Sequence, residues 1–255
     1  MSPETQQHIP FSVLNRGGRA DLVIICDHAS KVIPGEYNNL GLSDADLDRH
    51  IAWDIGAQGV AELLGAAFDA PAVICGTSRL VIDCNRHPTD SAAMPVKSDG
   101  VFIPGNRNLT QADRDDRVRR FFSPYHDMVE EVIQERVAEG HRPLILSVHS
   151  MTPEMNGKFR PWEISLSSNE RRQVSELMLG FLRRRSDITV GDNQPYNLDP
   201  AEDYSTPVHA LARQLPYLQV EFRQDQVGTP AGIKKWANIF AEALGDLLKQ
   251  PQHFA

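Results

Sequence analysis

The chain has 255 residues, and 26 Lys and Arg against 34 Asp and Glu give 26 − 34 = −8 as its formal charge. That acidic balance argues against nucleic acid as the main partner, because neutralising phosphates takes clustered cations. With 41% apolar and 24% charged residues the composition is that of a globular protein rather than a disordered one.

The expected elements alternate short apolar runs with longer helical patterns. Asp21 to Cys26 reads as a buried strand. Ser43 is expected to cap a helix, with Asp44, Asp46 and Asp48 opposing its dipole. Leu47, Ile51, Ile55, Val60, Leu63 and Leu64 then recur near a 3.6 period. Short strands are expected at Ala72 to Cys75 and Leu80 to Asp83. The stretch from Arg86 to Asn108 holds three prolines and little pattern, so it is expected to be a functional loop or lid. Thr110 should cap a helix to about Ala138, stopped by Gly140 and Pro143. Strands follow at Pro143 to Val148, Trp162 to Leu166, Ile188 to Val190 and Leu218 to Phe222. Helices are expected at Asn169 to Arg184, Val208 to Leu215 and Ile233 to Lys249. The spacing predicts an α/β protein with a mixed, mainly parallel sheet and helices on both faces, in one domain over residues 1–255.

No stretch reaches the ~20 apolar residues of a membrane span. Met1 to Asn15 lacks the charged start and apolar core of a secretion signal. Cys26, Cys75 and Cys84 form no CxxC pair and lie in or beside apolar runs, as buried thiols in a reducing compartment do. The expectation is a cytoplasmic protein with neither a membrane nor nucleic acid as partner. A homo-oligomer stays open.

Chemistry should gather at the strand ends, where open α/β sheets bind ligands. Asp27-His28 ends the first strand and His149-Ser150 follows the PLILSV run, 121 positions away. Each histidine alone has a structural reading, but a metal would account for both, and a hydrolytic zinc takes about three protein ligands. His50 and Asp54, four apart on the expected helix, share a face. Either could ligate, or one could orient the other, or the two could be an ordinary solvated pair. Asn85-Arg86 suits a substrate carboxylate, with Arg79 as a second cation or a surface ion pair. Glu221 stands between Val220 and Phe222, where a carboxylate needs either a salt bridge, such as one to Arg223, or a role as general base.

Taken together, CDHASKVIP (26–34), DRHIAWDIGA (48–57), SRLVIDCNR (78–86), SVHSMTP (147–153), DNQPY (192–196) and VEFRQD (220–225) resemble the N-formylglutamate amidohydrolase family, in order along nearly the whole chain. That family is in turn similar to zinc carboxypeptidases and aspartoacylases, which implies a three-layer α/β/α fold of the zinc-carboxypeptidase type (phosphorylase/hydrolase-like). The resemblance implies Zn2+, or another divalent cation, on His28 and His149, carboxylate recognition by Asn85 and Arg86, and Glu221 as base. The relatives' H-x-x-E motif is broken here, since Lys31 stands three after His28. The remaining ligand is therefore expected from His50 or Asp54. Arg79 and Arg160 are further candidates for binding the substrate carboxylate. The implied activity is hydrolysis of N-formyl-L-glutamate, or a similar small acidic N-acyl amino acid, to formate and the amino acid. A fold relative that binds a small ligand or metal without turnover is the alternative.

Overall fold

The structure, a computed structural model, describes residues 8–250. Seven strands form the central sheet: β1 (Phe11–Leu14), β2 (Leu22–Cys26), β3 (Ala72–Cys75), β4 (Leu144–Met151), β5 (Ile164–Ser167), β6 (Val190–Asp192) and β7 (Tyr217–Arg223). Their order across the sheet is β1-β3-β2-β4-β7-β5-β6. The pairs β3/β2, β2/β4, β4/β7 and β5/β6 are parallel, and β1/β3 and β7/β5 antiparallel. β2, β3, β4 and β7 are buried on both faces, which is why they read as continuous apolar runs.

Four longer helices, α1 (Ala57–Phe68), α2 (Ser123–Ala138), α3 (Gln173–Leu182) and α4 (Pro230–Leu248), cover the sheet. α1, α3 and α4 share one core with Leu22, Ile24, Leu146, Val148, Val220 and Phe222. In α4, Trp236, Phe240, Leu244 and Leu247 are buried at spacings of three and four, the stripe of an amphipathic helix. Each such side chain stabilises by roughly 1.5–3 kcal/mol. α2 packs the opposite face through Tyr125, Val129, Val132 and Ile133, with Val23, Ile25, Val73 and Ile145 beneath it. The layers are helix, sheet, helix, as expected.

Three expectations need correction. The helix capped by Ser43 is only Asp44–Leu47, and turns separate it from α1. The apolar residues that looked like one stripe serve both layers: Leu47 and Ile51 pack in the α2-side core, Val60 and Leu64 in the other. Leu80 to Asp83 is buried but is not a strand. Its backbone finds side-chain partners instead: Asn106 Nδ2 donates to Leu80 O at 2.9 Å and Arg117 Nη1 to Val81 O at 2.9 Å. The expected helix from Val208 to Leu215 is a turn of helix at Ser205–His209 followed by a 3₁₀ turn at Leu211–Arg213.

The helix capped by Thr110 does run to Ala138, through Gln111–Arg117 and one widened turn at Val118–Phe122. The proline-bearing stretch from Arg86 holds a small hairpin, Lys97–Ser98 with Val101–Phe102.

Candidate active site

Strand alternation aims the polar residues of β4 and β7. Val148, Val220 and Phe222 face the α1/α3/α4 core, so Ser147, His149, Gln219 and Glu221 leave the opposite face. His149 and Glu221 stand side by side in the parallel β4/β7 register. His28 follows β2, the other neighbour of β4. The turn before α1 is pinned to it, because Asp54 N donates to His28 O at 2.8 Å. Gly56 permits that turn: its φ is +81°, and a Cβ there would lie 2.2 Å from Val227 O.

These placements bring His28, Asp54 and His149 together, with one ligand atom from each lying within 4.8 Å of the others. Asp54 Oδ2 is 3.3 Å from His28 Nδ1 and 3.0 Å from His149 Nδ1, and it accepts from Ser150 N at 3.2 Å. The far nitrogen of each ring has its own partner: His28 Nε2 lies 2.7 Å from Asp83 Oδ1, and His149 Nε2 is 2.9 Å from Ser147 Oγ. Two imidazole nitrogens converging on a carboxylate, each ring oriented from behind, are the donor chemistry of a divalent transition-metal site. His50 is not in this cluster; its Nε2 lies 3.5 Å from Asp99 Oδ2.

The electrostatics favour a cation among these groups. Burial and Arg79 push His28 down, but Asp83 and Asp54 outweigh them and raise it to about 10. Burial likewise lowers His149, and its hydrogen bond to Asp54 reverses the direction. Burial opposes ionisation of Asp54, yet His28 and His149 hold it below the usual carboxylate range. Without a metal, the cluster retains an imidazole proton as its cation. Glu221 is 8% exposed, and burial raises it to about 7 against the pull of His149. At that value the carboxyl can both take and give a proton near neutrality.

A cavity of about 330 Å³ opens over these groups, lined among others by His28, His50, Asp54, Arg79, Asn85, Arg86, His149, Tyr196 and Glu221, a size suited to a small molecule. Arg79 is forked onto Asp83 Oδ2 at 3.1 and 2.7 Å and reaches Asp54 Oδ1 at 3.3 Å. Asn85 ties down a distant segment, accepting from Tyr204 N and Ser205 N at 3.0 Å each and donating to Asp203 Oδ1 at 3.0 Å. Arg86 Nη1 meets the same Asp203 Oδ1 at 3.0 Å. Arg160 is buried, stacks on the Tyr196 ring and donates to Tyr196 Oη at 2.8 Å. Among the described residues it has no carboxylate partner.

Asp83 and Ser147 are site residues that the sequence reading did not single out. Asp83 ends an apolar run and holds both His28 and Arg79; Ser147 precedes His149 by two, the spacing that puts both on one strand face. Asp27 stands behind His149. Its Oδ1 accepts from Tyr125 Oη at 2.8 Å and Ser205 Oγ at 2.7 Å, and its Oδ2 lies 3.5 Å from His149 Nε2.

The fold and the sequence are shared with known proteins. The crystal structure of the gene product Atu2144 from Agrobacterium tumefaciens is similar at TM-score 0.92 and 37% identity, over 95% of this chain and 96% of that one. An N-formylglutamate amidohydrolase from Ralstonia eutropha JMP134 shares the fold, with TM-score 0.65 at 18% identity over 94% and 97% of the two chains. A search of curated proteins gives no match. The family model for N-formylglutamate amidohydrolase matches residues 20–227, a span holding every residue of the cluster and the cavity, and the chain belongs to the N-formylglutamate amidohydrolase family.

Proposed function

We propose that this amidohydrolase-family chain is a metal-dependent hydrolase that cleaves the acyl amide of a small N-acyl amino acid. N-formyl-L-glutamate is the reference substrate, with formate and glutamate as its products. The observation that supports this reading is the convergence of His28 Nδ1, His149 Nδ1 and Asp54 Oδ2 beside Glu221, whose carboxyl lines the same cavity. His28, Asp54 and His149 would hold Zn2+ or a similar divalent cation. When bound, such an ion supplies Lewis acidity toward an amide carbonyl and toward water.

Glu221 takes a proton from the attacking water and delivers it to the amide nitrogen, which leaves as the amine. Asp83 and Ser147 fix the imidazole planes from behind. Arg160, with Tyr196, is the group that receives the substrate carboxylate, since its charge has no carboxylate partner among the described residues and a buried guanidinium calls for an anion. Arg79, Asn85 and Arg86 shape the same wall from within their own pairs.

Metal analysis of the purified protein, with formate release from N-formyl amino acids measured before and after chelation, tests this. The expected result is about one divalent cation per chain and activity that chelation removes and added metal restores. Full activity in metal-stripped protein would overturn the proposal.

A further inference from the structure

Asp27, directly after β2, has no part in the reaction proposed above, yet its side chain is wholly buried against the cluster. Its Oδ1 accepts from Tyr125 Oη, on α2, at 2.8 Å and from Ser205 Oγ at 2.7 Å. Two donors on separate elements thus fix how the carboxyl group is turned. The other oxygen, Oδ2, is buried with no hydrogen-bond partner among the described residues. A buried carboxylate oxygen calls for a donor, and His149 Nε2 lies 3.5 Å from it. Ser147 Oγ is closer to the same nitrogen, at 2.9 Å. A hydroxyl, however, can donate to a ring nitrogen as readily as accept from it, so Ser147 alone does not decide which nitrogen of His149 carries the proton. A carboxylate only accepts.

Resting on the metal-dependent reading above, we infer that Asp27 is a positioning residue for His149: its Oδ2 keeps a ring proton on Nε2 and so leaves the Nδ1 lone pair for the cation. The Asp27-His28 dipeptide then serves both imidazoles. His28 supplies one donor itself, and Asp27 backs the donor on the neighbouring strand β4. A carboxylate behind a ligating imidazole fixes the tautomer and the ring plane and raises the basicity of the other nitrogen.

The test is Zn2+ affinity by chelator competition, together with the visible spectrum of the Co2+-loaded protein, for the parent, Asp27→Asn, Tyr125→Phe and Ser147→Ala. Asp27→Asn keeps the shape and an acceptor for the two hydroxyls and removes the charge behind His149. It is expected to bind Zn2+ at least about tenfold more weakly than the parent and to shift the Co2+ bands. Tyr125→Phe leaves the carboxylate in place and should lose far less, as should Ser147→Ala. A carboxyl that merely ties α2 to the segment carrying Ser205 would instead make Tyr125→Phe and Asp27→Asn alike and leave the Co2+ bands unmoved. Should Asp27→Asn fail to fold, Asp27→Ala with Tyr125→Phe removes both sides of that buried pair, and it should bind Zn2+ at least about tenfold more weakly than Tyr125→Phe alone. A smaller loss, or a loss matched by Tyr125→Phe or Ser147→Ala, would overturn the inference and leave the hydrolase reading standing. If the parent binds no divalent cation, the metal-dependent reading fails and this inference fails with it.

Discussion

Glu221→Gln separates the stability cost of burying this carboxyl from its proposed use as base. A free Glu titrates near 4.5, while Glu221 is held at about 7 by burial. Between those values the unfolded chain has released a proton that the folded chain still keeps. Folded stability therefore falls as pH rises from 4.5 to 7 and levels off above. At about 1.36 kcal/mol per pH unit, that interval costs the metal-free protein roughly 3 kcal/mol at pH 8. Glutamine carries no such proton. Metal-free Glu221→Gln should be more stable than the parent by on the order of 3 kcal/mol at pH 8, with the difference vanishing near pH 4.5. Urea denaturation at the two pH values, with chelator present, measures it. Formate release by the metal-loaded variant should fall at least about 100-fold. A stability difference that ignores pH, or a variant less stable at pH 8, would refute the argument that burial holds this carboxyl up. Full activity would refute its role as base.

Asp54→Asn should weaken metal binding by more than about 100-fold in a chelator competition, because it removes the carboxylate that both imidazoles face. In metal-free protein the His28 contribution runs in the opposite direction to a depressed carboxylate. Its folded value is raised to about 10, so the stabilisation is fully present below about 6.5 and is lost as pH rises through 10. Denaturation midpoints of the chelated protein should drop over that window, and His28→Asn should flatten the drop. Gly56→Ala places a Cβ at φ +81° and 2.2 Å from Val227 O; thermal unfolding should show a loss of about 2–4 kcal/mol, with weaker metal binding because Asp54 is two residues away.

The layered fold was legible because its central strands are buried on both faces and short loops punctuate them. The turn before α1 was not, because Leu47, Ile51, Val60 and Leu64 keep a helical spacing while crossing from one core to the other. Periodicity records that a residue is buried, not which layer buries it. That turn places Asp54 in the cluster and sends His50 to Asp99, a separation that four-residue spacing on one helix would not produce. Leu80 to Asp83 misled for a related reason: its apolar burial is that of a strand, yet Asn106 and Arg117 satisfy its backbone from far along the chain. His28 and His149 stood out because each interrupts the end of an apolar run. The engagement of Asn85 and Arg86 with Asp203, 118 and 117 positions away, left no trace in local pattern.

β7 is the last strand of the sheet to leave the ribosome, yet it occupies an interior slot between β4 and β5. Until it emerges, the older β5–β6 pair has no neighbour through which to join the rest, and one edge of β4 with its LILSV run stays open. Nascent or prematurely terminated chains that stop short of Tyr217 thus carry a sticky rim, the kind that invites pairing with other chains. They also lack Glu221, so the proposed base arrives only with the piece that seals the sheet.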